Sequence, residues 1–151
     1  MNKGVRLILI GLATSVSNLT LHTASCVLFL RSFYAAHPSG SEAFLKELNK
    51  GMEHLVLWSL ALSALSLGFF ITLVVHWSGA RTFGAGLRAG LAFGGLYWAG
   101  MDFGLYASSN NFSLASTLVD IVFSSLCMAL SASFAAWMLG RAPHLVDARK
   151  S

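Results

Sequence analysis

The chain has 151 residues, of which 56% are hydrophobic and only 11% charged, and its mean hydropathy is +0.68. A soluble globular domain carries about a quarter of its residues as charges, so this composition excludes the soluble class and points to a membrane protein. The net charge of +4 does not indicate nucleic acid, because the ten Lys and Arg residues lie at segment ends and form no basic stripe. With two prolines and no low-complexity tract, residues 1–151 are expected to form one transmembrane domain.

Lys3 and Arg6 precede an apolar run from Leu7, the order found in a secretory signal, and Thr23-Ala24-Ser25-Cys26 resembles a lipoprotein cleavage site. Thr23 stands where such a site usually has leucine, and residues 27–30 stay apolar, so an uncleaved first span over about residues 5–30 is expected. This span is the most polar, with Thr14, Ser15, Ser17, Asn18, Thr20, His22, Thr23 and Ser25. Lipid offers no hydrogen-bond partners, so these side chains must face other helices or their own backbone.

Residues 31–54 form the long hydrophilic connection. Behind the turn signal at residues 37–40, Ser41 and Glu42 suit a helix start. Phe44, Leu45, Leu48 and Met52 then recur at helical spacing, which predicts a short amphipathic helix at the membrane surface. Residues 55–77 contain no Lys, Arg, Asp or Glu and are long enough to cross a hydrocarbon core of about 30 Å. Trp58 and Trp77 stand near the two ends, as interfacial anchors do.

The third span is expected over residues 84–107, where Gly86, Gly90 and Gly94 recur every fourth residue and Gly100 and Gly104 repeat the interval. Such a ridge lets a neighbouring backbone approach closely. A polar turn at residues 108–111 leads to the fourth span, residues 113–139, also rich in small residues. With the N-terminus inside, Lys3, Arg6, Arg81, Arg88, Arg141, Arg149 and Lys150 fall on the cytoplasmic side, against Arg31, Lys46 and Lys50 outside. Seven against three predicts both termini inside. The expected fold is thus all-α: an integral membrane four-helix bundle, N-in and C-in, with the amphipathic helix in the first outer loop.

Ionisable groups inside a membrane are costly and point to function by default. Asp102 lies six residues before Ser108 and Asp120 seven after Ser113, which puts both roughly 10 Å below the same end of the bundle. His22 and Cys26 share a helix face in that half, and Arg31, Glu53 and His54 stand at its rim. A polar pocket built from His22, Arg31, Glu53, His54, Asp102 and Asp120 is therefore expected near the non-cytoplasmic side. Three readings compete: a metal or cation site on His22, Asp102 and Asp120, with Glu53 or His54 added; a protonatable or solute-binding pocket; and carboxyls that merely fix the bundle through Tyr97, Tyr106, Asn18, Ser and Thr hydroxyls, or Arg31. The chain has no HExxH, no paired CxxC and no GxSxG elbow, its glycines lie in an apolar helix and not behind a strand, and no catalytic residue or cofactor is assigned. Cys26 and Cys127 sit in apolar segments and form no motif.

The run GLRAGLAFGGLYWAGMDFGLYASSNNFSLASTLVDIVF resembles the C-terminal half of small bacterial four-helix membrane proteins grouped as domains of unknown function. In these, a glycine-rich helix ends in an aromatic residue and an aspartate, and a second aspartate follows in the next helix. The matching positions are Gly90, Gly94, Asp102 and Asp120, while Met101 and Phe123 replace an aromatic and a tryptophan. The resemblance spans about residues 86–123 and implies a multi-pass protein of the bacterial inner membrane, with no activity attached. The function expected is the binding or passage of a small solute, proton or cation; the competing class is a structural protein, an accessory subunit or a homo-oligomer. The bilayer is the partner common to both.

Overall fold

The computed structural model describes residues 2–38, 41, 43, 44, 47, 54–109 and 113–141. Among them the regular elements are helical: α1 (Lys3–Ser25), a π-helical segment (Cys26–Leu30), α2 (Arg31–Ala36), α3 (Leu57–Trp77), α4 (Phe83–Ser108) and α5 (Leu114–Gly140). The stretch Lys3–Ala36, α3 and α5 are long and apolar enough to cross a membrane by length and composition. The amphipathic helix expected behind Ser41 lies mostly outside the described residues, as do Glu53 and the tail basic residues Arg149 and Lys150.

The first helix does not end near Leu30. The π segment inserts one residue into its hydrogen-bonding ladder and the chain continues helical to Ala36. Arg31 is thereby a residue inside a long helix, although its charge reads in sequence as the end of a span.

The distribution of polarity is the reverse of a soluble core. Leu96 is 78% exposed and Trp77 76%, and Val16, Leu28 and Leu57 also face outward. The buried set is rich in hydroxyls and small residues, among them Thr14, Ser15, Asn18, Thr72, Ser131 and Ser133. These hydroxyls find acceptors: Thr14 donates to the Ile10 carbonyl at 2.8 Å, Thr72 to Gly68 at 2.8 Å, Ser133 to Ala129 at 2.8 Å, and Ser131 to Asn18 Oδ1 at 3.1 Å. Side chains that water would have satisfied are satisfied within and between helices, the arrangement lipid demands.

The central helix is α5, which is buried on most of its faces and packs against α4, α1 and α3. Its partner α4 lies along it through the glycine ridge. A Cβ at Gly86 would stand 2.6 Å from the Ala132 carbonyl oxygen, and one at Gly90 2.6 Å from Ala129 Cα, so only glycine permits this approach. On the other side, α1 crosses α3 where Gly68 meets the Ser15 backbone and Gly11 sits beneath the Phe69 ring. Between α3 and α4 the contact runs through rings instead, Phe70 with Phe93 at 6.2 Å and with Tyr97 at 5.7 Å.

One end of the bundle is tied by cations. Arg6 Nη2 donates to the carbonyls of Met138 and Leu139 at 2.9 and 2.8 Å, closing the C-terminal turn of α5 where the helix dipole favours positive charge. Arg141 lies over the Trp137 ring at 3.7 Å. At the other end Ser113 and Ser116 form a capping box that starts α5.

The glycine interlock predicts opposite outcomes at two positions of one helix. Gly90→Val overpacks the α4–α5 contact and lowers unfolding stability in detergent by about 1–3 kcal/mol or more. Gly100→Ala, where a Cβ would meet nothing within 4 Å, leaves stability unchanged or raises it by up to about 1 kcal/mol.

Candidate functional site

Residues 86, 90, 94, 98 and 102 form a single row at i±4 along α4. Its first three members are the glycines locked onto α5; the next two are Trp98 and Asp102. The same stripe that packs at one end therefore presents an indole and a carboxyl at the other, and a ring as large as Trp98 holds the neighbouring helices apart.

The resulting cavity measures about 360 Å³. Its walls come from His22 of α1, from Cys26 of the π segment, from Tyr34 of α2, from Trp98 of α4, and from Asp120 and Ser124 of α5. Asp102 is 8% exposed, and its carboxyl lies within electrostatic reach of that of Asp120. The Tyr34 hydroxyl donates to Asp120 Oδ1 at 2.8 Å. His22 lies within electrostatic reach of Asp120 and packs its ring on Trp98, with centroids 5.5 Å apart. The Tyr97 ring meets Trp98 edge-on at 5.3 Å and extends the aromatic wall toward α3. Ser25 Oγ and Cys127 Sγ, 3.1 Å apart, join α1 to α5 at the base.

The π segment makes this possible. An inserted residue rotates everything after it by about 100° relative to an uninterrupted helix. In this register Leu30 is buried and Tyr34 points at Asp120.

Four buried polar atoms here have no protein hydrogen-bond partner: His22 Nε2, Trp98 Nε1, Asp102 Oδ2 and Ser125 Oγ. They lie along one stretch of the structure, with Trp98 and Asp102 a turn apart on α4, His22 against Trp98, and Ser125 opposite Gly95. Among the described residues no other buried side-chain polar atom is left without a partner, so unfulfilled hydrogen-bonding capacity is concentrated along this stretch.

Of the six residues expected to form a polar pocket, His22, Asp102 and Asp120 come together. Arg31 and His54 are exposed and do not line the cavity, and Glu53 lies outside the described residues. Arg31 is carried outward by the same π register that turns Tyr34 inward. The three-residue metal site also fails: among the described residues no three His, Cys, Asp or Glu side chains are arranged to hold an ion. The His22 ring packs on the Trp98 indole, with centroids 5.5 Å apart. Asn18, expected as a partner for the aspartates, is bonded to Ser131, and Tyr97 is engaged through its ring. Tyr34 and Trp98 went unnoticed in the sequence; the i+4 spacing of Trp98 from Gly94 and Asp102 was the available signal for one of them.

Neither protein-family models, curated proteins nor solved structures contain a match to this chain. Function must be argued from the site itself.

The Tyr34–Asp120 bond crosses between the first and last helices, so Tyr34→Phe is expected to lower unfolding stability by about 1 kcal/mol. Tyr97→Phe, at a residue held by ring contacts, is expected to be near neutral. Equilibrium unfolding of the two variants in detergent micelles checks this.

Proposed function

We propose that this chain is a four-span protein of a bacterial inner membrane, with both termini cytoplasmic, whose pocket near the non-cytoplasmic side binds a small organic cation. The fourth span in this reading is α4, which contains Arg88 and Asp102 and many glycines but is 26 residues long and packed along α5. At about 1.5 Å per residue it is long enough to cross.

The observation that carries the ligand reading is the carboxyl pair beside unsatisfied donors and acceptors. The charge acting on Asp102 is that of Asp120, of the same sign, and a cation or a shared proton relieves the repulsion of two such groups in contact. Purely structural carboxyls would be expected to have their hydrogen bonds filled by the protein, as the hydroxyls of Thr14, Ser15, Ser131 and Ser133 do. The aromatic rings decide between an inorganic and an organic cation. Trp98 and Tyr34 line the cavity together with Asp120, and an indole face beside a carboxylate suits an alkylammonium group better than a small hard ion, which prefers several oxygen ligands.

Quenching of Trp98 fluorescence by tetraethylammonium, in protein reconstituted in lipid, tests this. The wild-type chain is expected to titrate saturably, and Asp120→Asn to weaken binding about tenfold, near 1.4 kcal/mol. Asp102→Asn is expected to weaken binding while leaving the fold as stable or more stable, since the site is built for a ligand at the expense of internal satisfaction. Loss of stability in both variants with no cation response in the wild type would establish the structural role instead.

One observation favours a homo-oligomer as a second, compatible reading. Beyond the glycine interlock, Gly100 and Gly104 face open space on α4, beside the exposed Leu96, Met101 and Phe103. Small residues four apart on a lipid-facing helix suit close packing of a second helix. Gly100→Leu is then expected to shift the detergent-solubilised protein from dimer to monomer in light scattering, with no effect if the chain is a monomer throughout.

A further inference from the structure

A second cavity, of about 410 Å³, lies at the opposite end of the bundle, where the start of α1 meets the end of α3, the loop after it and the end of α5. It is lined by Lys3, Arg6, His76 and Arg81 around the apolar side chains of Leu7 and Leu139. Three permanent cations and an imidazole thus surround a hydrocarbon floor.

Two of these cations are fixed in place. Arg6 is held by the Met138 and Leu139 carbonyls through Nη2 alone, which leaves Nε and Nη1 for another acceptor. Arg81 Nη1 donates to the Ala80 carbonyl at 2.8 Å, which orients the guanidinium at the mouth. Lys3 and Arg81 are exposed. Among the described residues no acid lines this cavity, and Asp102 and Asp120 lie at the far site; Glu42, Glu53 and Asp147 lie outside the described residues.

We propose that this cavity seats the phosphate headgroup of an anionic membrane lipid. A phosphate accepts from several N–H donors at once, the geometry guanidinium groups serve best, and basic pockets between membrane helices are suited to such headgroups. The apolar floor selects a lipid over free phosphate, because Leu7 and Leu139 lead from the cationic rim onto the outward-facing aliphatic surface of α1, including Ile8 and Leu12. An acyl chain lies along that surface while its headgroup is held. The inference shares with the proposed function only the premise that the chain sits in a bilayer.

The test is native mass spectrometry of the protein released from bilayers of mixed phosphatidylcholine and phosphatidylglycerol. The wild-type chain is expected to retain phosphatidylglycerol in preference to phosphatidylcholine. The double variant Lys3→Gln/Arg81→Gln, at exposed positions that do not put folding at risk, is expected to lose that retention about tenfold or more. Arg88→Gln/Arg141→Gln removes the same charge outside the cavity and is expected to retain the lipid. Equal loss in both double variants would show diffuse surface charge and overturn the proposal, as would equal retention of the two lipids by the wild type. Displacement of phosphatidylglycerol by millimolar inorganic phosphate would overturn the lipid assignment, and a sharp gain of lipid in Asp147→Asn would show that the chain's own tail takes the seat. Failure to enter the bilayer at all would instead overturn the membrane reading, and a cation response at Trp98 is unaffected by any of these results.

Discussion

Gly86, Gly90 and Gly94 bring the α4 backbone so close to Ala129, Ala132 and Ala136 that a single added carbon at the first two would collide. Lipid gives apolar surfaces no reason to leave it for one another, so helix association in a membrane depends on this kind of short-range packing. The contact fixes more than the pairing of two helices. Because Trp98 and Asp102 continue the glycine row, the depth and direction of both are set by how the glycines seat. Asp120 is set in turn by α5, the other party to the same contact. The carboxyl pair is therefore a consequence of the interlock, placed by rigid backbone and not by a flexible loop.

Along the bundle the character of the interior changes. Next to the interlock it is dry and fully packed: Ile71, Val75, Met128 and Ala132 have no exposed surface, and they form one cluster with Ile10 and Leu139. Toward the far end the row gives way to an indole, a cavity opens beside it, and polar atoms without protein partners accumulate. A buried polar group left unpaired costs on the order of 1–3 kcal/mol. Of the four such groups among the described residues, His22 and Trp98 line the cavity, and this is the feature on which the proposed ligand reading rests.

Much of this architecture is legible from residue type and spacing. The i+4 glycines announce a packing ridge, the hydroxyls of α1 announce an inward face, and equal distances of Asp102 and Asp120 from one turn place them at one depth. What escapes is the register of the first helix. A π insertion has no residue signature, since Cys26–Leu30 is as apolar as the turns before it, yet it decides that Tyr34 faces Asp120 while Arg31 does not. Charge also misleads at that point, because Arg31 reads as a span end and as the natural counter-ion of the aspartates. The hydroxyl that serves them lies three residues later. The metal trio fails for a related reason: helical spacing gives the face on which His22 lies but not the ring against which it turns.

The segregation of charge along the long axis bears on whether the carboxyl pocket binds or conducts. Asp120 lines the far cavity and Lys3, Arg6 and Arg81 the near one, with the cluster of Ile71, Val75, Met128 and Ala132 in the packed interior. A cation leaving Asp120 for the other end would have to cross that apolar layer, at a desolvation cost of many kcal/mol, and then meet Lys3, Arg6 and Arg81. Opening a path would require α4 to lift from α5, which means breaking the glycine interlock that defines the site in the first place. On the proposed reading, a cation is held at one side of the membrane and not carried through it. The basic end, on the same reading, serves as an anchor in an anionic leaflet and not as an exit.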